Sequence, residues 1–204
     1  SIMALLKGTD KLQKLSEKLF QQYFKVAYLP HLAFFDYEEF KRVLANCPWV
    51  LAKSFLGEEN REQAKEFSSQ LKSGHCANIS IRWIDEQLEY GVFAETDMAA
   101  GTYIGEFTGA VRHLSRKHPT HNIYCFHYPT RFWSWNYYVI DALRMGNQMR
   151  FINHSDRPNL QPLCLCERRL LHIVFIAKVA IKAGEQLTYD YGQDFWKTRE
   201  KIDI

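Results

Sequence analysis

The sequence predicts a mostly β domain preceded by an α-helical N-terminal region, and three observations carry that prediction. Over residues 1–75 the apolar side chains recur at helical spacing. From Ile79 they fall into short β-type runs, separated by Gly and charged residues at the intervals of an all-β domain. Two later stretches have no period of their own: residues 150–159, Arg-Phe-Ile-Asn-His-Ser-Asp-Arg-Pro-Asn, and residues 184–192, Gly-Glu-Gln-Leu-Thr-Tyr-Asp-Tyr-Gly. The change in composition near Ser73-Gly74-His75 divides the chain into a helical region over 1–75, a β domain over 76–197 and a tail over 198–204.

Residues 10–27 set Leu12, Leu15, Leu19, Phe20 and Tyr23 at helical spacing with Lys11, Lys14, Glu17 and Lys18 between them, which reads as an amphipathic helix. Tyr28-Leu29-Pro30 breaks it. A second helix is expected over Phe34–Leu44, with Asp36 as N-cap and Glu39 three residues on. A third, over residues 59–72, is charged and reads as a solvated helix packed lightly against the rest. Strands are expected over residues 79–84, 90–94, 103–107 and 137–142, and again over Leu165–Val179. Residues 113–135 hold His113, His118 and His121 with Trp133 and Trp135, and these histidines lack the spacing of metal ligands.

The chain of 204 residues suffices for one domain with a full core, or for one domain with a helical appendage. Its 14 Phe, 11 Tyr and 5 Trp suit a channel that receives an apolar stem carrying a polar head. A net charge of +3 is too small to imply nucleic-acid binding. No stretch reaches the roughly 18 apolar residues of a membrane span, and no signal sequence opens the chain, so it reads as soluble and not exported by that route. The five cysteines, Cys47, Cys76, Cys125, Cys164 and Cys166, form neither a disulfide framework nor a zinc site; all read as reduced thiols, and no metal is expected.

In the first aperiodic stretch, Asn153, His154 and Ser155 favour turns that bond neighbouring backbone, and Pro158 and Asn159 forbid a helix. In the second, alternation delivers Tyr189 and Tyr191 to one side of an extended segment. Alone, His154 would more often be a satisfied core histidine. Taken together, however, the two stretches resemble the paired signature motifs of the SET domain, the fold of most protein-lysine methyltransferases. The resemblance implies that the Asn-His loop and the tyrosine strand thread past each other in a knot-like crossing, with S-adenosyl-L-methionine lying against it. It covers roughly residues 79–197.

The resemblance also implies roles. Tyr90 and Gly91 are similar to the family's first motif, a Gly-aromatic-Gly turn against the cofactor; Glu89 stands at the first Gly, which argues against a positive-φ backbone there. Arg150, Asn153, His154, Tyr191 and Trp196 are expected to bind the cofactor, Tyr191 also to act in catalysis, and Tyr138, Tyr189, Phe107 and Phe195 to line the substrate lysine channel. Phe107 replaces the family's tyrosine, so its part is packing. Asp156, where the family commonly has Cys, reads as a turn residue without chemistry. The tail Gly192-Gln193-Asp194-Phe195-Trp196 is similar to that of compact zinc-free viral and bacterial (chlamydia-type) members, in which an aromatic residue covers the adenine or closes the channel; Trp196 as a plain anchor of the tail stands beside that reading.

In function, the resemblance implies a lysine methyltransferase using S-adenosyl-L-methionine, adding mainly one methyl group, sometimes two, to a histone or a histone-like nucleoid protein. A non-histone protein substrate and a peptide-binding module without transfer are the alternatives. Neither nucleic acid nor membrane is an expected partner, and a homo-oligomer is compatible with the sequence. The expected compartment is the cytoplasm, the nucleoid or the nucleus, the last including a host nucleus for a bacterial effector.

Overall fold

The computed structural model describes residues 2–46, 57–114, 122–128, 137–167 and 169–196. Cys47, His118, His121, Trp133, Trp135 and the tail over 198–204 lie outside the described residues. The chain is mostly β, with helices concentrated toward the N-terminus. In order, its strands are β1 (Ile2–Leu5), β2 (Gln13–Leu15), β3 (Ala27–Tyr28), β4 (Ala33–Phe34), β5 (Ile79–Trp83), β6 (Tyr90–Ala94), β7 (Tyr103–Glu106) and β8 (Ala110–Leu114). They continue as β9 (Cys125–Tyr128), β10 (Tyr137–Asp141), β11 (Met145–Gly146), β12 (Asn153–His154), β13 (Leu160–Glu167), β14 (Leu170–Ala177) and β15 (Gln186–Tyr189). The helices are α1 (Glu17–Phe24), α2 (Tyr37–Asn46), α3 (Gly57–Glu66), α4 (Ser68–Ser73) and α5 (Gln193–Trp196), and residues Gln148–Phe151 form a 3-10 turn.

The helix expected over 10–27 is a strand followed by a shorter helix. Residues 13–15 pair antiparallel with β1, Ile2 opposite Leu15, and the Ser16 hydroxyl then caps α1 by accepting from the Leu19 N–H at 3.2 Å. Only part of the face the spacing suggested is buried, Leu15 of β2 and Phe20 of α1. Phe20 is fully buried, whereas Leu12, Leu19 and Tyr23 are exposed. The second helix starts where its cap predicts, with Glu39 N–H donating to Asp36 Oδ1 at 2.7 Å, although Phe34 itself is strand. The third stretch is two helices, α3 and α4, ended by Gly74 in the left-handed region at φ 60°. Their Ala64, Phe67 and Leu71 pack on Tyr103, Leu165 and Val174 of the sheet β13-β14-β7.

Residues 2–34 are also woven into the β domain, which helical spacing could not reveal. β1 runs parallel to β5, β3 parallel to β11, and β4 parallel to β8. The six-stranded sheet consequently has the order β12-β15-β6-β5-β1-β2, and a four-stranded sheet the order β4-β8-β10-β9. The single strand expected over 165–179 is instead the second half of a hairpin, β13 and β14, turning at Arg169 with φ 70°. An arginine in the left-handed region carries none of the usual Gly or Asn turn signal.

A second, larger hydrophobic cluster joins α1 to the β part. Phe20 and Phe24 of α1 pack on Phe151 with ring centroids 6.2 and 4.8 Å away, and Phe24 meets Tyr90 edge-on at 5.1 Å. The N-terminal helix thereby forms the back of the wall that carries Tyr90 and Phe151.

Candidate active site

Parallel pairing of β12 with β15 brings the two aperiodic stretches together, Asn153 beside Thr188 and His154 beside Tyr189. Asn159 fastens the loop after β12 to the same strand, donating from Nδ2 to Gln186 O at 2.8 Å and accepting the Thr188 N–H on Oδ1 at 2.9 Å. Ser155 N–H donates to Tyr189 O at 3.2 Å. Single side-chain and backbone bonds thus hold this crossing in place of a long ladder, as two-residue strands require.

Tyr191, just past β15, is fixed at two points. Its N–H donates to His154 Nδ1 at 3.2 Å, and its hydroxyl donates to Ile152 O at 2.8 Å. Because Nδ1 accepts, the network assigns the ring proton of a neutral His154 to Nε2. Nε2 is buried and has no hydrogen-bond partner among the described residues. The Asp156 carboxylate stands 3.3 Å from it, outside hydrogen-bonding alignment. The indole N–H of Trp196 is likewise buried without a partner among the described residues.

These groups border a cavity of about 480 Å³. Its lining includes Gln87, Leu88, Glu89, Tyr90, Phe107, Ile123, Tyr124, Cys125, Arg150, Phe151, Asn153, His154, Tyr189, Tyr191, Phe195 and Trp196. Nine of the eleven residues singled out from the sequence therefore converge here. One that does not line it is Gly91. A Cβ there would come within 2.7 Å of Gln186 Nε2 and Ile84 Cδ1 and 3.2 Å of Asn153 Nδ2, so the glycine acts by letting Asn153 approach β6. The Asn153 amide uses that space to donate to Tyr90 O at 3.1 Å.

The other is Tyr138, which does not reach the cavity. It is buried on β10 with its ring against His113 at 5.4 Å, and burial together with the Glu39 charge raises its pKa. The alternation of β10 turns it toward α2, away from the tyrosine strand. Phe126 of β9, which the sequence did not single out, takes the adjacent place, stacking on Tyr189 at 5.6 Å and meeting Phe107 at 5.0 Å.

Aromatic rings make the inner wall. Tyr189 and Tyr191 have centroids 4.6 Å apart, Phe195 lies 4.6 Å from Tyr191, and Trp196 is near-parallel to Tyr191 at 6.0 Å. Burial holds both phenols well above their ordinary pKa, so Tyr189 and Tyr191 remain protonated donors. Arg150 is buried, its guanidinium 3.8 Å from the Tyr124 ring centroid and 4.8 Å from that of Phe151, while Nε donates to Ala142 O at 2.8 Å. Tyr124 is a further cavity residue that periodicity could not flag.

Glu89 corrects another expectation, because its backbone does take positive φ, 57°. The loop enforces it. Glu89 N–H donates to Asp85 O at 2.9 Å, Glu89 O accepts from Ile84 N–H at 2.7 Å, and Asp85 Oδ1 accepts from the Gln87 and Leu88 N–H groups at 2.8 Å. A non-glycine residue in this region costs about 1–2 kcal/mol.

The donor set suits a ligand with an aromatic base and a charged polar end: flat rings for stacking, two orphaned buried donors, an amide and a guanidinium. Among the described residues no three His, Cys, Asp or Glu side chains converge, and burial pushes the Cys76 and Cys164 thiols up to about 11 and about 12, away from the thiolate form.

Residues 89–192 match the family model described as the SET domain. Over 188 residues the chain is 29% identical to the histone-lysine N-methyltransferase ash1 of Drosophila melanogaster, covering 84% of this chain and 8% of that protein. It is 34% identical over 118 residues to human histone-lysine N-methyltransferase EHMT1, covering 55% of this chain and 9% of that protein. The chain thus spans less than a tenth of these two relatives. Among solved structures, ATXR5 in complex with histone H3.1 mono-methylated on R26 aligns over 95% of both chains with a TM-score of 0.66 at 15% identity, a likeness of fold. The polycomb repressive complex 2 of Chaetomium thermophilum aligns at a TM-score of 0.53 and 26% identity, covering 65% of this chain and 17% of that one.

Proposed function

Because this chain belongs to the SET-domain family, we propose that it transfers a methyl group from S-adenosyl-L-methionine to the ε-amine of a lysine in a histone or another basic protein. The observation that carries the reading is the convergence of Asn153, His154 and Tyr191 on one aromatic cavity with two unpartnered buried donors. The named relatives are histone-lysine methyltransferases, which supports a chromatin substrate and a nuclear setting. No helix among the described residues is long and apolar enough to cross a membrane. The Phe195-Trp196 tail, similar to that of the compact members, supports that branch of the family.

Bound cofactor supplies an electrophilic methyl on a sulfonium. The protein's task is to present a neutral amine to it. A free lysine with pKa near 10.4 costs roughly 4 kcal/mol to deprotonate at about pH 7.4. Desolvation between Tyr189, Phe107 and Tyr191 disfavours the ammonium and lowers that cost. Tyr191, pinned through its N–H and hydroxyl, holds the reacting end in line; positioning of this kind supplies several kcal/mol. Asn153, His154, Arg150 and Trp196 would hold the cofactor, with Tyr90 and Gly91 shaping the floor beneath it. Tyr189 would restrict the product mainly to monomethyllysine, with some dimethyllysine.

Labelled methyl transfer to mixed histones and other basic proteins tests the reading. Transfer that Tyr191→Phe abolishes is the expected result. Neither transfer nor cofactor binding by calorimetry would overturn it, and cofactor binding without transfer would favour a peptide-binding module.

A further inference from the structure

The loop before β6 holds a glutamate where its backbone geometry would be satisfied by glycine, and that glutamate lines the cavity. At φ 57° Glu89 occupies the left-handed region, and hydrogen bonds among Ile84, Asp85, Gln87, Leu88 and Glu89 itself keep it there. Strain of this kind persists where the surroundings over-determine it, and it clusters at ligand sites. Glu89 is exposed, no hydrogen bond to its carboxylate is formed among the described residues, and its charge acts on Arg150 across the cavity. Among the described residues lining the cavity Glu89 is the one carboxylate, and the buried Arg150 guanidinium is the one guanidinium. A single cavity thus presents opposite charges on separate elements, the pattern that recognises a zwitterionic amino-acid end rather than a neutral or singly charged one.

We propose that Glu89 is a specificity-determining residue whose carboxylate receives the α-ammonium of S-adenosylmethionine, while Arg150 faces the α-carboxylate of the same ligand. The proposal rests on the cofactor assignment made above and adds to it the group that each charge reads. It accounts for the strain. Glycine would relax the backbone but would leave the ammonium to water alone.

Calorimetric titration of the whole chain tests it with two probes, S-adenosylmethionine and 5′-methylthioadenosine, which shares the nucleoside but has no amino-acid end. Glu89→Gln keeps the side-chain length and removes the charge. Glu89→Asn also removes the charge, with a residue that tolerates positive φ. Both are expected to lose about fivefold in affinity for S-adenosylmethionine, as for an exposed ion pair, and none for 5′-methylthioadenosine. The gap from the unaltered chain should narrow as salt rises, and Glu89→Asn should unfold at no lower temperature. Undiminished affinity of both variants for S-adenosylmethionine overturns the proposal, as does an equal loss for both probes, which would move the contact to the nucleoside. Failure of the unaltered chain to bind S-adenosylmethionine overturns the cofactor reading itself, an outcome distinct from both.

Discussion

His154 accepts the Tyr191 backbone N–H on Nδ1 at 3.2 Å, a bond between residues 37 apart in sequence that ties β12 to the proposed catalytic tyrosine. His154→Ala should therefore act twice, leaving that N–H unpaired at a cost of about 1–3 kcal/mol and loosening Tyr191. Thermal unfolding and single-turnover rates on one preparation would show both losses. A stable variant with unaltered rate would dissociate the histidine from Tyr191.

Tyr191→Phe deletes the hydroxyl that donates to Ile152 O. Its stability cost should be small, about 1 kcal/mol, while turnover falls by about 100-fold or more, as for loss of one preorganised donor. Circular dichroism beside the labelled-methyl assay separates the two, and turnover retained at the level of the unaltered chain would refute the catalytic role.

Tyr189 is clamped by Phe126, Phe175 and Tyr191, so its ring has little freedom and its hydroxyl a fixed position. A water or amine held by that hydroxyl fills the space a second methyl needs, and displacing it without a replacement bond is unfavourable. Tyr189→Phe is expected to shift product from mono- toward di- and trimethyllysine with a modest change in rate. Mass spectrometry of one peptide after exhaustive reaction decides, and trimethyllysine from the unaltered chain would contradict the assignment.

The site was more legible in the sequence than the scaffold. Asn153, His154, Tyr189 and Tyr191 sit in contiguous stretches whose residue types speak for themselves, and parallel pairing sets those stretches side by side. Tyr138 misled because a strand residue's face depends on which sheet its strand joins, and β10 joins β8 and β9 instead of the tyrosine strand. Tyr124 and Phe126 were missed because they lie beside and in the four-residue strand β9, with no period to read. Glu89 was misjudged for a different reason: residue preference argues against positive φ, but the Asp85 turn overrides it. The two- and three-residue strands β2, β3 and β4 are too short for alternation to register at all.

Gly91→Ala would press a methyl against the ends of Gln186, Ile84 and Asn153, all side-chain atoms that can shift. The fold should survive, with a loss of about 1–2 kcal/mol, while the Asn153 amide moves off Tyr90 O. Cofactor affinity should fall more than stability does, as calorimetry and thermal unfolding would show together. Wild-type affinity in this variant would mean that the Asn153–Tyr90 contact does not shape the site.

Activity and stability should part company in alkali. Turnover is expected to rise from neutrality toward about pH 9 as more substrate lysine becomes neutral. Stability moves the other way. Burial raises the pKa of Cys76 to about 11 and of Cys164 to about 12, and it raises Tyr189 and Tyr191 as well. These groups stay protonated in the folded chain while the unfolded chain ionises, so their contribution is intact below the unfolded pKa values and lost as pH climbs through the folded ones. The unfolding temperature should drop by several degrees between about pH 9 and about pH 11. Unfolding that ignores pH across that window would show these groups to be solvated.

The parallel alignment of β1 with β5, Met3 beside Ser80, sets the order in which the protein can assemble. β5 pairs on its other edge with β6 in a local antiparallel hairpin, and β6 pairs antiparallel with the distant β15, the strand that carries Tyr189. The parallel β1–β5 and β12–β15 pairings cannot nucleate locally, since loop-closure entropy is lost before either forms. Refolding should therefore be slow for a chain of this length, and amide exchange at β12 and β15 should become protected only after the β13–β14 hairpin is already protected. Ligand binding would be the last property to appear in a refolding time course.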